Sequence, residues 1–352
     1  MSSIQHLGLG AYFFLAFSAC GSVAGNDKKD ANTTCTPQSD VELCSTANAC
    51  DRYTGADNCG TMKTVDCGAC GAGKGCVAGS CQTPVCSSFT YTTAPIPGMA
   101  RSSVEDSIGG ATPDGRVILY VQTVAASGCG VYHLIIADEQ SPGSGTYTQR
   151  DAYSTFNTLG LYNGQDGYAI TADGLTIVTT SPDRKRLMST RRSALNLTDF
   201  GVPSTADFDA LNPQTLNNSK IFLSLTLSAD GLEFWYSLYD TSLQTYTVFY
   251  SVRASTSSPF PAGTPAVAPV SSYSFVEGIS SDRLTLFVFD NFTGRALTRT
   301  STSQPFTNPN APAAPPQMPG WNHKPLANCV KIIAMASPGG CQNEDVVLLT
   351  RQ

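Results

Sequence analysis

The chain has 352 residues, enough for one large core and a small module, and only 14% of them are charged, against roughly 25% in an average soluble domain. The net charge of −6 excludes a nucleic-acid-binding protein that works through bulk positive charge. The 13 cysteines fall mostly in one segment, which is typical of proteins from an oxidising compartment.

The first segment, residues 1–20, contains an apolar run that ends in small residues and a cysteine. The run is too short to span a bilayer, for which about 20 apolar residues are needed, and it is typical of a secretory signal peptide. Its last four residues, from Phe17 to Cys20, resemble the bacterial lipoprotein signal, which implies that Cys20 is acylated. The alternative is an ordinary signal peptide cleaved nearby. Residues 21–34 are small and polar, and we expect a flexible tether.

A cysteine-rich module is predicted for residues 35–86, where cysteines stand among Gly, Thr and Asp with few large apolar side chains. Such a segment cannot be stabilised by hydrophobic burial alone, so we expect disulfide bonds. The competing interpretation is a zinc site, which needs four well-placed ligands. Only Cys67 and Cys70 form a tight pair and the module has no histidine, so we expect disulfides and no metal.

Three cysteines remain outside the module once Cys20 is set aside: Cys129, Cys329 and Cys341. Cys329 and Cys341 flank one predicted hairpin, and we expect them to form a disulfide. The module itself has nine cysteines, so one of them must find a partner outside it, and Cys129 is the cysteine that remains. Cys86, the last cysteine of the module, is the predicted partner of Cys129, and this disulfide would tie the module to the following domain. The pairing within the module stays open.

One pattern recurs about every 55 residues in the rest of the chain, residues 87–352. A hydroxyl residue stands two positions before an aspartate, then comes glycine (arginine in the fourth copy) and an apolar run. The aspartates are Asp114, Asp173, Asp230 and Asp282, and a degenerate copy covers 326–333. Asp-Gly between two apolar runs predicts a hairpin, because both turn residues tolerate positive φ.

A second pattern follows three of these hairpins: a strand that ends in arginine, then a phenylalanine and a proline-rich stretch. The strand ends read Arg191-Arg192-Ser193, Arg253-Ala254-Ser255 and Arg299-Thr300-Ser301, and the stretches are Phe200–Pro203, Phe260–Pro265 and Phe306–Pro309. Proline is tolerated on an edge strand, so each stretch is a predicted fourth strand. Four antiparallel strands repeated at this spacing are typical of propeller blades.

Together these motifs resemble the TolB-type, WD-like β-propeller repeat over about 250 of the 352 residues. The resemblance implies the fold but not an activity, because such repeats occur in binding proteins and in enzyme accessory domains. The fifth unit stops after its third strand, near Val346, and Phe89–Pro97 carries the missing Phe-then-Pro pattern. The predicted fold is therefore all-β: a five-bladed β-propeller closed by an N-terminal strand and preceded by a small disulfide-rich module.

Charged side chains precede each Asp-Gly turn, in strands that line the channel of such propellers. They are Glu105, Asp106, Asp166, Lys220, Glu277 and His323. Five-bladed glycosidases that resemble arabinanases place three carboxylates in this zone, as glycoside cleavage requires. The favoured interpretation is nevertheless that these are solvated loop charges, because strand ends open into loops. A catalytic cluster of Glu105, Asp106, Asp166 and Glu277 is the alternative.

These observations predict an exported, lipid-anchored protein without enzymatic activity that binds or scaffolds an unknown protein or glycan ligand. We expect it in the cell envelope, at the outer membrane or cell surface, or otherwise secreted or periplasmic. The alternative is a carbohydrate-active hydrolase that uses the four carboxylates. No cofactor, metal or nucleic-acid partner is expected.

Overall fold

The computed structural model describes residues 35–49, 52–68, 75–77, 80–82, 91–96, 99, 106–123, 132–164, 167–216, 218–290, 293–307, 317–318, 321–326, 329–336 and 345–351. β-Strands dominate these ranges. Within them, no helix has both the length and the apolar character needed to cross a membrane.

In the described residues before the propeller there are one helix, α1 (Asp40–Ala47), and two hairpins. The hairpins pair β1 (Arg52–Ala56) with β2 (Met62–Asp66) and β3 (Gly75–Val77) with β4 (Ser80–Gln82). At the start of α1 the Ser39 hydroxyl accepts from the Glu42 N–H at 3.3 Å, and the Glu42 carboxylate accepts from the Ser39 N–H at 2.9 Å. This capping box satisfies backbone donors that a helix start leaves free.

Two disulfides in this part have both partners among the described residues, Cys35–Cys59 and Cys44–Cys67, and Cys81 of β4 is disulfide-bonded as well. A disulfide typically contributes about 2–4 kcal/mol by restricting the unfolded chain, which matters here because few apolar side chains, such as Leu43 and Val65, are buried. Disulfide formation is thus confirmed, whereas the boundaries of the module stay a prediction.

The remaining strands form the blades of a five-bladed β-propeller. In every blade, neighbouring strands are antiparallel and follow one another along the chain. The outermost strand of blade 5 is also antiparallel, but it comes from an earlier part of the chain. Blade 1 consists of β6 (Asp106–Ala111), β7 (Val117–Thr123), β8 (Tyr132–Glu139) and β9 (Tyr147–Asp151). After the helix α2 (Tyr153–Thr158), blade 2 consists of β10 (Ala169–Ile170), β11 (Thr176–Thr180) and β12 (Leu187–Arg191).

The other three blades have four strands each. After the helix α3 (Pro213–Leu216), blade 3 consists of β13 (Lys220–Leu227), β14 (Glu233–Asp240), β15 (Thr245–Val252) and β16 (Thr264–Pro265). Blade 4 consists of β17 (Phe275–Ile279), β18 (Thr285–Asp290), β19 (Thr293–Thr298) and β20 (Gln317–Met318). Blade 5 consists of β21 (Trp321–Leu326), β22 (Lys331–Ala336), β23 (Asp345–Arg351) and the early strand β5 (Tyr91–Pro95).

The ring closes as the sequence predicts. β5 pairs antiparallel with β23, from Val347 opposite Pro95 to Arg351 opposite Tyr91. The innermost strands β6, β10, β13, β17 and β21 each contact the next around the ring, and β21 contacts β6. Closure pairs the backbone groups of β23 that would otherwise form an open sheet edge.

The hydrophobic core lies between the blades. Each buried cluster joins two neighbouring blades, so burial of apolar area stabilises the ring as a whole rather than each blade separately. Blades 1 and 5, for example, meet through Ile108 and Ile118 on one side and Ile333 and Val346 on the other. The join between the chain's ends is therefore packed like the others.

Each predicted Asp-Gly turn has the same hydrogen bonds. In the first, the Thr112 hydroxyl donates to Asp114 Oδ1 at 2.6 Å and accepts from the Val117 N–H at 3.0 Å. The turns at Asp173, Asp230 and Asp282 repeat both contacts. The residue after the aspartate has a left-handed backbone, at φ +75° for Gly115, which is why glycine suits the position.

The fourth strands follow the predicted pattern only in part. Pro265 lies in β16, as expected for an edge strand. In blade 2 a single β-bridge between Ser189 and Ser204 stands in place of the predicted fourth strand. In blade 4 the predicted stretch forms only a bridge between Thr298 and Thr307, and the fourth strand, β20, comes later in the chain. The three described phenylalanines of the pattern, Phe200, Phe260 and Phe306, are buried between blades, so at these positions the motif marks inter-blade packing more than a strand.

We expect deletion of residues 87–98 to destabilise the whole propeller. The deletion removes five paired residues of β5, and at about 0.5–1.5 kcal/mol per hydrogen bond the loss should reach roughly 3 kcal/mol or more. Thermal unfolding followed by circular dichroism measures it. Deletion of residues 22–33, an equally long piece of the predicted tether, is the control, and an equal melting temperature for the two variants would contradict the closing role of β5.

Candidate functional site

Four of the innermost strands carry a β-bulge. The pairing register shifts between Ile108 and Gly110 in β6, between Phe222 and Leu225 in β13, between Val276 and Gly278 in β17, and between Trp321 and Lys324 in β21. A bulge redirects the side chain of the extra residue and is common near functional sites. The bulges in β17 and β21 contain Glu277 and His323, two residues of the predicted channel set.

Glu277 and His323 form a buried pair between blades 4 and 5. His323 Nδ1 lies 2.7 Å from Glu277 Oε2, and the two residues are 2% and 0% exposed. The Lys324 ammonium donates to the backbone carbonyl of Glu277. The two strands approach each other closely at this point. A Cβ atom added to Gly278 would lie only 2.5 Å from the His323 carbonyl oxygen, so there is no room for a side chain. The pair therefore joins two inner strands and is closed to solvent.

The sequence-based interpretation of these side chains as solvated loop charges is wrong for Glu277 and His323. The reason is their place inside the bulged strands rather than at the strand ends. Lys220, at the start of β13, is half-buried. Asp106 is the first residue of β6, and its side chain is outside the described part. Glu105 and Asp166 lie outside the described residues altogether.

The predicted modification and disulfide positions fall mostly outside the described ranges. Cys20, Cys86, Cys129 and Cys341 are among the residues that the structure does not describe. Cys329 is described: it is fully buried and disulfide-bonded. Its pairing with Cys341, the clamp between Cys86 and Cys129, and the acylation of Cys20 remain predictions.

Buried arginines join neighbouring blades, a feature that the sequence analysis recognised only as a strand-end motif. Arg192 Nε donates to the Gly174 carbonyl in its own turn at 3.0 Å, and its Nη1 and Nη2 donate to Asp138 of blade 1 at 2.9 and 2.6 Å. Both side chains are at most 1% exposed. The bidentate geometry gives strong, directional contacts. We call this arrangement the arginine clamp.

The clamp recurs with variations. Arg299 Nε donates to the Arg283 carbonyl at 2.8 Å, and its Nη2 donates to Glu233 of blade 3 at 2.7 Å. Arg253 Nε donates to the Gly231 carbonyl at 2.7 Å. Burial lowers the pKa of Arg253, and the carboxylate of Asp207, 4.0 Å away, opposes this shift. Each arginine thus fixes its own turn, with a carboxylate from the preceding blade or loop nearby.

A cavity of about 220 Å³ lies between blades 3 and 4, and we call it the inter-blade pocket. Its walls include Glu233, Trp235, Tyr250, Arg299 and Phe306. Trp235 stacks on Tyr250 with ring centroids 4.8 Å apart and meets Phe306 edge-on at 5.6 Å. The indole N–H donates to Glu233 Oε1 at 2.7 Å. The pocket is thus aromatic, with the Arg299–Glu233 pair in one wall.

Comparison with known proteins gives structural likeness only. No family model matches the chain, and no curated protein matches it. Similar solved structures include TolB from Acinetobacter baumannii, with 11% identity and a TM-score of 0.37 over 86% of this chain and 59% of that one. This chain therefore spans less than two thirds of the length of that TolB. A GH62 hydrolase in complex with xylotriose has 8% identity and a TM-score of 0.43, over 75% and 98% of the two chains.

An oligogalacturonate lyase from Vibrio parahaemolyticus is also similar, with 8% identity and a TM-score of 0.32, over 74% of this chain and 97% of that one. Similar structures thus include TolB and other propeller proteins, enzymes among them. At these identities they assign no activity to this chain.

We expect Glu277 and His323 to be energetically coupled. Removing one partner of a buried hydrogen bond typically costs about 1–3 kcal/mol, because the remaining polar group loses an interaction that water cannot replace. Glu277→Ala and His323→Ala should each destabilise the protein, and the double variant should lose clearly less than the sum. Urea denaturation of the four proteins in a double-mutant cycle measures the coupling. Additive losses would contradict it.

Proposed function

We propose that the protein is an exported binding or scaffold protein of the cell envelope, which uses its propeller to hold a partner rather than to catalyse a reaction. Two disulfides support an oxidising compartment. The closed ring with inter-blade cores supplies a rigid frame, which limits the conformational entropy lost when a partner binds.

The observation that carries this proposal is the state of Glu277. It is the one carboxylate of the alternative catalytic set whose side chain the structure describes, and it is 2% exposed and bonded to His323 at 2.7 Å. Glycoside hydrolysis needs two carboxyl groups that face the sugar from about 5–10 Å apart. The burial of Glu277 and its bond to His323 support a structural role for this carboxylate over a catalytic one. The inter-blade pocket, by contrast, lies open between two blades.

The proposal is tested by binding and turnover measured on the same samples. The purified full chain is incubated with a glycan array, with peptidoglycan and with immobilised envelope proteins, and released reducing ends are assayed. We expect retention on at least one of these without sugar release, and equal retention of a folded Glu277→Gln variant. Release of reducing ends by the wild type but not by Glu277→Gln would establish the hydrolase alternative instead.

We further propose that Cys20 carries a lipid anchor, on the resemblance of residues 17–20 to the lipoprotein signal. A diacylated, N-acylated cysteine buries several alkyl chains in a bilayer, which is enough for stable anchoring. The wild type expressed with its signal should therefore partition into the detergent phase of a Triton X-114 extraction, and Cys20→Ser should move to the aqueous phase. A wild type wholly in the aqueous phase would refute the anchor.

A further inference from the structure

A group of basic residues lies at the end of the ring where the innermost strands begin, in the turn between β11 and β12. We call residues 181–186 the basic turn, and their sequence is Ser-Pro-Asp-Arg-Lys-Arg. The Ser181 hydroxyl donates to Asp183 Oδ1 at 2.5 Å and accepts from the Arg186 N–H at 3.0 Å. These are the contacts of the Asp-Gly turns, with Arg184 in the left-handed position at φ +57°. A well-defined turn thus presents three consecutive cationic side chains.

Arg184 has no carboxylate partner among the described residues. Arg283, at the same position of the fourth Asp-Gly turn, lies 3.2 Å from Asp230. Five further arginines of the ring lie within 4.0 Å of a carboxylate: Arg150, Arg191, Arg192, Arg253 and Arg299. The Arg184 guanidinium instead lies over the Tyr162 ring, 4.2 Å from its centroid. Within the described structure its charge is therefore not neutralised.

The position of Arg184 favours an anionic ligand. The side chain is half-buried. Burial lowers the pKa of Arg184, and no described carboxylate opposes this shift, as Asp207 does for Arg253. A partly desolvated charge is unfavourable until it is paired. The Tyr162 ring covers one side of the guanidinium, and the N–H groups remain available for bidentate contacts with an oxyanion.

Two lysines bring further positive charge to the same place. The Lys185 ammonium donates to the backbone carbonyls of Asn218 and Lys220 at 2.7 and 2.6 Å, which fixes it beside the start of β13. The Phe222 N–H donates to the Arg184 carbonyl at 2.9 Å. Lys220 lies two residues before Phe222 and so on the same face of β13. It is half-buried, without an ion pair among the described residues. Contacts with carbonyls leave the charges of these lysines in place.

The charges around the basic turn restrict its ligand. The four cations are Arg184, Lys185, Arg186 and Lys220. Two described carboxylates lie beside them. Asp183 accepts within its own turn, and Asp240, opposite Lys220 in the sheet, accepts from the hydroxyls of Ser219 and Ser242. Four positive charges less two negative ones leave an excess of two, which a doubly charged anion neutralises and a singly charged one does not.

The net charge of the chain restricts the size of the ligand. At −6, the chain as a whole repels an extended anionic surface such as a bilayer of acidic lipids. A compact anion responds mainly to charges within the Debye length, about 8–10 Å at ordinary ionic strength. Within that distance the basic turn dominates, so a small anionic group is attracted where an anionic surface is not.

We propose that the basic turn binds a doubly charged tetrahedral oxyanion, a phosphate or sulfate group of the ligand, with Arg184 as bidentate donor and Lys220 and Arg186 supplying further charge. The inference names the site and the chemistry of the ligand for the proposed binding function, and it rests on that function.

Radiolabelled inorganic phosphate and sulfate test the site by equilibrium dialysis against the full chain at about pH 8, where phosphate is largely doubly charged. Radiolabelled acetate at equal ionic strength is the singly charged comparison. We expect a dissociation constant for the dianions at least tenfold lower than that for acetate, because only they match the excess charge. Binding of one dianion alone supports the inference and identifies the group. Equal affinity for acetate, or no binding of either dianion, would overturn it.

Variants of the turn locate the binding. Arg184→Gln should weaken dianion binding at least tenfold, and Arg184→Lys should lie in between, since lysine keeps the charge and loses the bidentate geometry. Glutamine has the same left-handed backbone cost as arginine, so the melting temperature should stay close to that of the wild type. Arg116→Gln is the matched control: it removes one half-buried arginine at the opposite end of a blade and should leave binding unchanged. Equal effects of the two glutamine variants would contradict the site.

The results also separate this inference from the proposed function. If envelope material retains the chain and neither dianion binds, the inference is wrong and the binding function stands. If the dianions bind as described but no envelope material is retained and sugar is released, the site is right and the proposed function is wrong.

Discussion

The arginine clamp is the contact on which the architecture most depends. A buried guanidinium is tolerated only when its charge is paired and its donors are used. Arg192 meets both conditions by bonding the carbonyl of Gly174 in its own turn and the carboxylate of Asp138 in the neighbouring blade. One side chain thus fixes a turn, a strand end and the position of an adjacent sheet. The apolar clusters between blades stabilise the ring by hydrophobic burial, which does not depend on orientation. The hydrogen bonds of the clamp are directional, so they fix how one blade is oriented against the next.

A variant of the same contact lies in the wall of the inter-blade pocket. The arginine of blade 4, Arg299, takes its carboxylate partner from blade 3, where Glu233 is the first residue of β14. The partner of Arg192, by contrast, is Asp138 near the end of β8, the third strand of blade 1. Glu233 also accepts from the indole of Trp235. The guanidinium of Arg299 is held by this shared acceptor and lies in the wall of the inter-blade pocket. The clamp at blade 4 thus keeps a guanidinium and a carboxylate, while the acceptor comes from a different strand position.

Local patterns predicted much of the fold, and the contacts between blades escaped prediction. The turns at Asp114 and Asp230 depend on residues two to five positions apart, so sequence alone reveals them, and the Phe-then-Pro pattern located the closing strand. The acid partners of the arginines are far away in sequence and occupy different strand positions, so no fixed spacing marks them. The bulge that buries Glu277 is likewise set by how β17 packs against β21, which alternation of apolar residues does not encode.

The distribution of charge connects the frame to the kind of partner it suits. Only 14% of the residues are charged. Several of these charged side chains are buried within the propeller, among them Arg192, Glu233, Glu277 and Arg299. A surface depleted of charge provides little long-range electrostatic steering. Recognition must then come from shape, hydrogen bonds and apolar contacts at short range, which are the features that the inter-blade pocket presents.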